Sequence, residues 1–226
     1  MVRCTLLATI AFAWFGTVPF SVGEEVLFED DFDGTLSSEW RAVGLTKDDY
    51  RIRDGGLEMR VQPGRRARDT PMLMVLLPFK TSEFVTASVE LTLLDRFTEP
   101  AESAGLFLTD ADSREFGGEK KNRNGHLVFL PGDVEFIGEE GEEGDPQQYA
   151  MKFWPANEVY GSLRIIVRGN YGHFQVGPSR KGKYLNFFHS ALRKDEPRRG
   201  FSLSASGGPS DRDHWVRFDN FRVTRK

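Results

Sequence analysis

The sequence predicts an all-β protein, a single antiparallel sandwich or barrel, on three observations. Between 84 and 93 apolar Val85, Ala87, Val89, Leu91 and Leu93 alternate with Thr86, Ser88, Glu90 and Thr92, the period-two pattern of a strand with one buried face. Shorter runs of strand character recur along the chain, separated by turn residues such as Asp54-Gly55-Gly56 and Gly169-Asn170-Tyr171-Gly172. No long segment shows helical spacing; 190–195 has room for one or two turns at most.

The chain opens with an export signal. Met1-Val2-Arg3 is a short basic start, 4–20 is an uncharged apolar stretch, and Ser21-Val22-Gly23 places small residues before the acidic Glu24-Glu25. This layout predicts a signal peptide over 1–23 and a folded domain over 24–226. A membrane anchor is the rival reading, but spanning takes about 20 apolar residues. This run is shorter and is broken by Gly16 and Pro19. Removal of 23 residues from 226 takes away Cys4, the one cysteine, so the domain relies on packing rather than disulfides. It leaves 29 bases against 34 acids, which excludes a general field for nucleic acid. The expected location is secreted, periplasmic or cell-envelope, with no transmembrane segment after cleavage.

The strands follow in order. The run 57–61 leaves the Asp54-Gly55 turn, a hairpin signal. Residues 72–77 are apolar at both parities, as in a strand covered on both faces. After 84–93 come 105–108, 126–130, 134–137, 163–167, 173–176, 184–188, 201–205 and a last strand from Trp215. Nineteen Phe, four Trp and five Tyr supply the apolar mass for one core. No internal repeat is evident, which argues against a propeller. Two polar stretches interrupt the rhythm, 109–125 and the acidic 138–147, which holds five carboxylates among glycines. Both read as solvated surface; the acidic loop lacks the Asp-x-Asp-x-Asp-Gly pattern that would make calcium a specific reading.

The last strand changes face. Val216 and Phe218 share one parity, Phe221 and Val223 the other, so a β-bulge between Asp219 and Asn220 must restore register.

The two ends carry a resemblance. Leu27-Phe28-Glu29-Asp30-Asp31-Phe32-Asp33-Gly34, then Glu39-Trp40, the Tyr50-to-Leu57 hairpin with Asp54-Gly55-Gly56, and Trp215-Val216-Arg217-Phe218-Asp219-Asn220-Phe221-Arg222-Val223 are similar to the concanavalin A-like lectin/glucanase superfamily. The likeness is greatest to laminin-G-like and 3-keto-disaccharide hydrolase-like domains of exported bacterial proteins. It implies a two-sheet antiparallel jelly-roll sandwich with adjacent first and last strands, and a glycan or polysaccharide as ligand. It also implies a structural calcium near the chain ends, for which Asp219 and then Asp33 are the candidate ligands.

Catalysis has a weaker signature. Retaining glucanases of the superfamily carry Glu-x-Asp-x-x-Glu on one strand, and nothing here reproduces it. Asp133 and Glu135 share a parity and are the weak candidates. No nucleophile elbow, zinc-ligand helix motif or phosphate loop occurs. Sugar rings stack on exposed aromatics, so Trp154, beside Pro155 in a polar loop, is the candidate binding residue, with Tyr149, Tyr160 and His189 as partners. Trp40 and Trp215 read as packing. The expectation is a non-catalytic carbohydrate-binding or interaction module; the alternatives are a secreted glycoside-acting hydrolase and a structural or adhesion envelope protein contacting other envelope proteins.

Overall fold

The computed structural model describes residues 23–63, 71–99, 102–110, 126–130, 133–137, 148–150, 160–177, 184–191 and 199–226. These form sixteen strands in two sheets. Both the all-β class and the two-sheet arrangement expected from the sequence are present.

The first sheet runs in the order β14 (Leu185–Ala191), β13 (Tyr171–Gly177), β12 (Tyr160–Arg168), β7 (Val85–Leu93), β16 (Trp215–Arg225), β4 (Gly56–Arg60) and β3 (Tyr50–Arg53). Off this path β1 (Glu25–Asp30) pairs with β16. The second runs β11 (Gln148–Ala150), β10 (Asp133–Ile137), β9 (His126–Leu130), β8 (Ser103–Asp110), β15 (Arg199–Gly208), β6 (Met72–Leu77) and β2 (Arg41–Val43), with β5 (Gln62–Pro63) paired parallel to β15.

Alternation decides which side chains meet between the sheets. Val85, Ala87, Val89 and Leu91 of β7, with Leu163, Ile165 and Val167 of β12, lie in one core with Leu73 and Val75 of β6 and Leu106 and Leu108 of β8. Complete burial of such a side chain contributes roughly 1.5–3 kcal/mol. Strand β6 is covered on both sides, since Met72 and Met74 are also buried but lie outside that cluster.

The bulge sits where the last strand changes partner. Against β7, Asp219 opposes Glu90 and Arg222 opposes Ser88, so β16 carries one extra residue, and Asn220 takes φ 52°. On the other edge Trp215 to Phe218 pair with β4, while Phe221 to Arg225 pair with β1. The extra residue lets Phe218 and Phe221 both enter the core despite opposite parity.

The joined ends are closed by an aromatic cluster of Phe28, Phe32, Trp40 and Phe221, whose ring centroids lie 4.9 to 6.1 Å apart. Asp30 organises it: its carboxylate accepts the Phe32 N–H at 2.9 Å, the Ser37 N–H at 3.2 Å and the Trp40 Nε1–H at 2.8 Å. That contact stabilises the turn in which Phe32 adopts φ 58°, a conformation unfavourable for a bulky residue. The β3–β4 hairpin turns on Asp54 (φ 50°) and Gly55 (φ 70°), the two positive values of a type I′ turn.

Polar networks brace the loops. Asp49 accepts hydrogen bonds from the Thr46 N–H (2.7 Å), the Thr46 hydroxyl (2.8 Å) and the Gln62 amide (2.8 Å), and pairs with the Arg60 guanidinium. Burial opposes its ionisation, yet these donors outweigh burial and hold its carboxyl at about 2, below the usual 3.8. Glu102, fully buried, accepts the Thr98 and Glu99 N–H groups and meets His214 Nδ1.

Candidate functional site: the outward face of the first sheet

The same alternation that fills the core sends a second set of side chains outward from the first sheet. Cross-strand partners stand side by side on one face, so register groups them into rows.

The first row aligns Thr92, Arg217, Glu58 and Arg51. Glu58 is only 2% exposed although its side chain leaves the core-facing side, and both oxygens are engaged: Arg217 Nη2 donates at 2.6 Å, Arg51 Nε at 2.7 Å. Burial opposes ionisation, but the two guanidiniums prevail and lower its pKa. The Arg51 guanidinium also lies 4.0 Å from the ring centroid of Trp215, a cation–π contact. Trp215 alternates with buried Val216 and is half-buried, so it belongs to this face and not to the core.

The second row aligns Ser162, Glu90 and Asp219. Glu90 and Asp219 are direct neighbours on adjacent strands, and both take part in further interactions. Beside them Arg217 Nε and Asn220 Nδ2 are buried donors without an acceptor.

The third row aligns Gln175, Arg164, Ser88, Arg222 and Glu29. Arg164 Nε donates to Gln175 Oε1 at 2.6 Å, and its guanidinium lies 3.6 Å from the Tyr184 ring centroid. The Tyr184 ring can fold over the sheet because residue 177 is glycine, where a Cβ would sit 3.2 Å from the ring. From the Trp215 position to the Arg164 row is about six residues of strand, roughly 20 Å.

The residues singled out in the sequence are distributed over both sheets. Asp133 and Glu135 lie on β10, opposite Leu130 and Val128, and Tyr149 lies on β11 opposite Phe136, all in the second sheet. Tyr160 begins β12 opposite Thr92, and His189 lies on β14 opposite His173, in the first sheet. His173 faces Ile166, so Tyr160 and His189 are six residues apart in register, again roughly 20 Å. Trp154, the 138–147 loop and 111–125 lie outside the described residues. Asp33 sits in the turn after β1, its Oδ1 2.9 Å from where a Cβ on Gly55 would be. Among the described residues no three His, Cys, Asp or Glu side chains converge as a metal site. The orphaned atoms beside Asp219 are donors, which call for an oxygen acceptor rather than a cation.

Trp215, Arg51, Glu58, Glu90 and Arg164 were not singled out by sequence reasoning. Their signal was the polar parity of each strand; what places them together is register between strands distant in the chain.

No protein-family model and no characterised protein sequence matches the chain. Solved structures do. A GH43 protein from Bacillus licheniformis aligns with a TM-score of 0.66 at 16% identity, over 88% of this chain but 39% of that one. The catalytic domain of an endo-1,3-beta-glucanase (laminarinase) from Thermotoga petrophila aligns at 0.59 and 13% identity, over 89% of this chain and 98% of that one. The CBM2 module of the evolved Dit of Lactobacillus casei BL23 phage J-1 gives 0.62 and 11%, over 89% and 95%. At such identities the likeness establishes a shared fold. The chain spans well under half of the GH43 protein, and nearly the whole of the other two.

Proposed function

We propose that the outward face of the first sheet binds a glycan chain, on a jelly-roll sandwich of the concanavalin A-like kind, in an exported protein. The observation that carries this reading is the make-up of that face: half-buried Trp215 and Tyr184 near its two ends, with hydrogen-bonding side chains between them. Aromatic rings offer stacking surfaces for the apolar faces of sugars, and polar side chains between them suit sugar hydroxyls. The laminarinase and GH43 likenesses support a carbohydrate ligand. The test is isothermal titration of laminarin and xylan into wild type, Trp215→Ala and Trp154→Ala. Trp215→Ala is expected to weaken binding at least tenfold; undiminished binding in that variant removes this face from the account.

A second reading, hydrolysis, draws on the second row. Directly opposed residues have Cβ atoms about 4.5–5.5 Å apart, a spacing from which two carboxyls can reach the roughly 5 Å separation of retaining glycosidases. Glu90 and Asp219 hold such positions. In this reading one attacks the anomeric carbon while the other protonates the leaving oxygen. Product analysis on laminarin and xylan decides: activity lost in both Glu90→Gln and Asp219→Asn supports it, and no released sugar from wild type refutes it.

A further inference from the structure

We propose that the glycan taken by this face is anionic, and that Arg164, Ser88 and Arg222 form the subsite for its carboxylate or sulfate group. The inference rests on the glycan-binding reading and names the class of glycan.

Arg164 is a partly buried cation with no carboxylate partner among the described residues. Its pKa is lowered, chiefly by burial, and among the described residues Tyr184 alone opposes that. Burying an unpaired charge is costly, and the fold retains it. Its environment fixes its direction: Nε is spent on Gln175 and one guanidinium face lies on Tyr184. Among the described residues the two Nη groups have no acceptor, and they form a fork suited to the paired oxygens of a carboxylate or sulfate.

Register supplies the rest of the cradle. Ser88 is the cross-strand neighbour of Arg164 on one side and of Arg222 on the other. A short hydroxyl side chain thus lies between two arginines whose strands are about 10 Å apart, two inter-strand spacings. Among the described residues Arg222 is held by Glu29 alone, at 3.3 Å, with both side chains about half exposed, a pair worth little in water and free to turn toward an anion. Glu90, two residues along β7 from Ser88, faces Asp219 in the next row, so the carboxylate that shares the arginine row is Glu29, already paired with Arg222.

The test is titration of four probes at low salt: polygalacturonate, a sulfated carrageenan, and neutral laminarin and xylan. Wild type is expected to bind at least one anionic polymer ten times more tightly than either neutral one, with the preference falling as salt rises. A preference for polygalacturonate identifies a carboxylate subsite, one for carrageenan a sulfate subsite. Arg164→Gln should remove the preference for the anionic polymer over the neutral ones, and Arg222→Gln should reduce it. Arg164→Lys keeps the charge without the fork and should fall between; melting curves confirm that each variant folds. Equal affinity for neutral and anionic polymers, unchanged in Arg164→Gln, overturns the anion subsite and leaves the glycan-binding reading standing. Absence of binding to all four overturns both.

Discussion

Neutralising Asp49 tests whether the loop between β2 and β3 is held by a buried charge. Its carboxylate collects four donors, from the Thr46 N–H and hydroxyl, Gln62 and Arg60, and these hold its pKa at about 2 against an ordinary 3.8. A depression of that size corresponds to about 2 kcal/mol of native-state stability. The folded value lies below the unfolded one. The contribution is therefore complete above the unfolded pKa and is lost as pH falls toward the folded one. Asp49→Asn retains one acceptor oxygen but loses the charge, and it places an amide N–H against donors. The expected cost is about 2–4 kcal/mol at neutral pH. Urea unfolding of wild type and Asp49→Asn at pH 7, 4 and 2.5 measures it. The gap should be nearly the same at the two higher values and should narrow by more than about 1 kcal/mol at the lowest. A gap that is constant across all three, or below about 0.5 kcal/mol at pH 7, refutes the assignment.

Two further changes probe the frame that supports the face. Trp40→Phe keeps the ring in the aromatic cluster but removes the Nε1–H bond to buried Asp30, so thermal unfolding should show a loss of about 1–2 kcal/mol; an unchanged midpoint counts against Asp30 as the organiser of that turn. Gly200→Ala would place a Cβ 2.2 Å from the Val75 carbonyl oxygen, forcing β15 away from β6, and the soluble yield or stability of the variant should fall sharply, whereas a wild-type melt would show that the strands can separate there freely.

Much of the frame was legible locally. The alternation over 84–93 became β7, the doubly apolar 72–77 became β6, and the parity change in the last strand became the Asp219–Asn220 bulge. Strand β1 is harder to see, because Glu25, Glu29 and Asp30 make it look like loop; its strand state comes from pairing with β16. Gly207-Gly208-Pro209 has the composition of a turn, yet β15 continues through Gly208, where a Cβ would meet the Val61 carbonyl oxygen at 2.3 Å. The outward face was less legible for a related reason. Which wet-side residues become neighbours depends on pairing between remote segments, so Glu90 and Asp219 give no local sign that they face one another. An aromatic in a polar loop such as Trp154 attracts notice, while Trp215 at a strand start reads as core.

The triple pairing of β16 has a consequence for how the molecule assembles. Until Trp215 to Arg225 has been made, the first sheet exists as three separate pieces: the β3–β4 hairpin, the strip from β7 to β14, and a lone β1. Closure depends on contacts between segments nearly the whole chain apart, the kind that form slowly. A growing chain would thus keep this sheet open until Trp215 to Arg225 arrives, and the Asp219–Arg164 face would come into being in that step, as β16 zips onto β7.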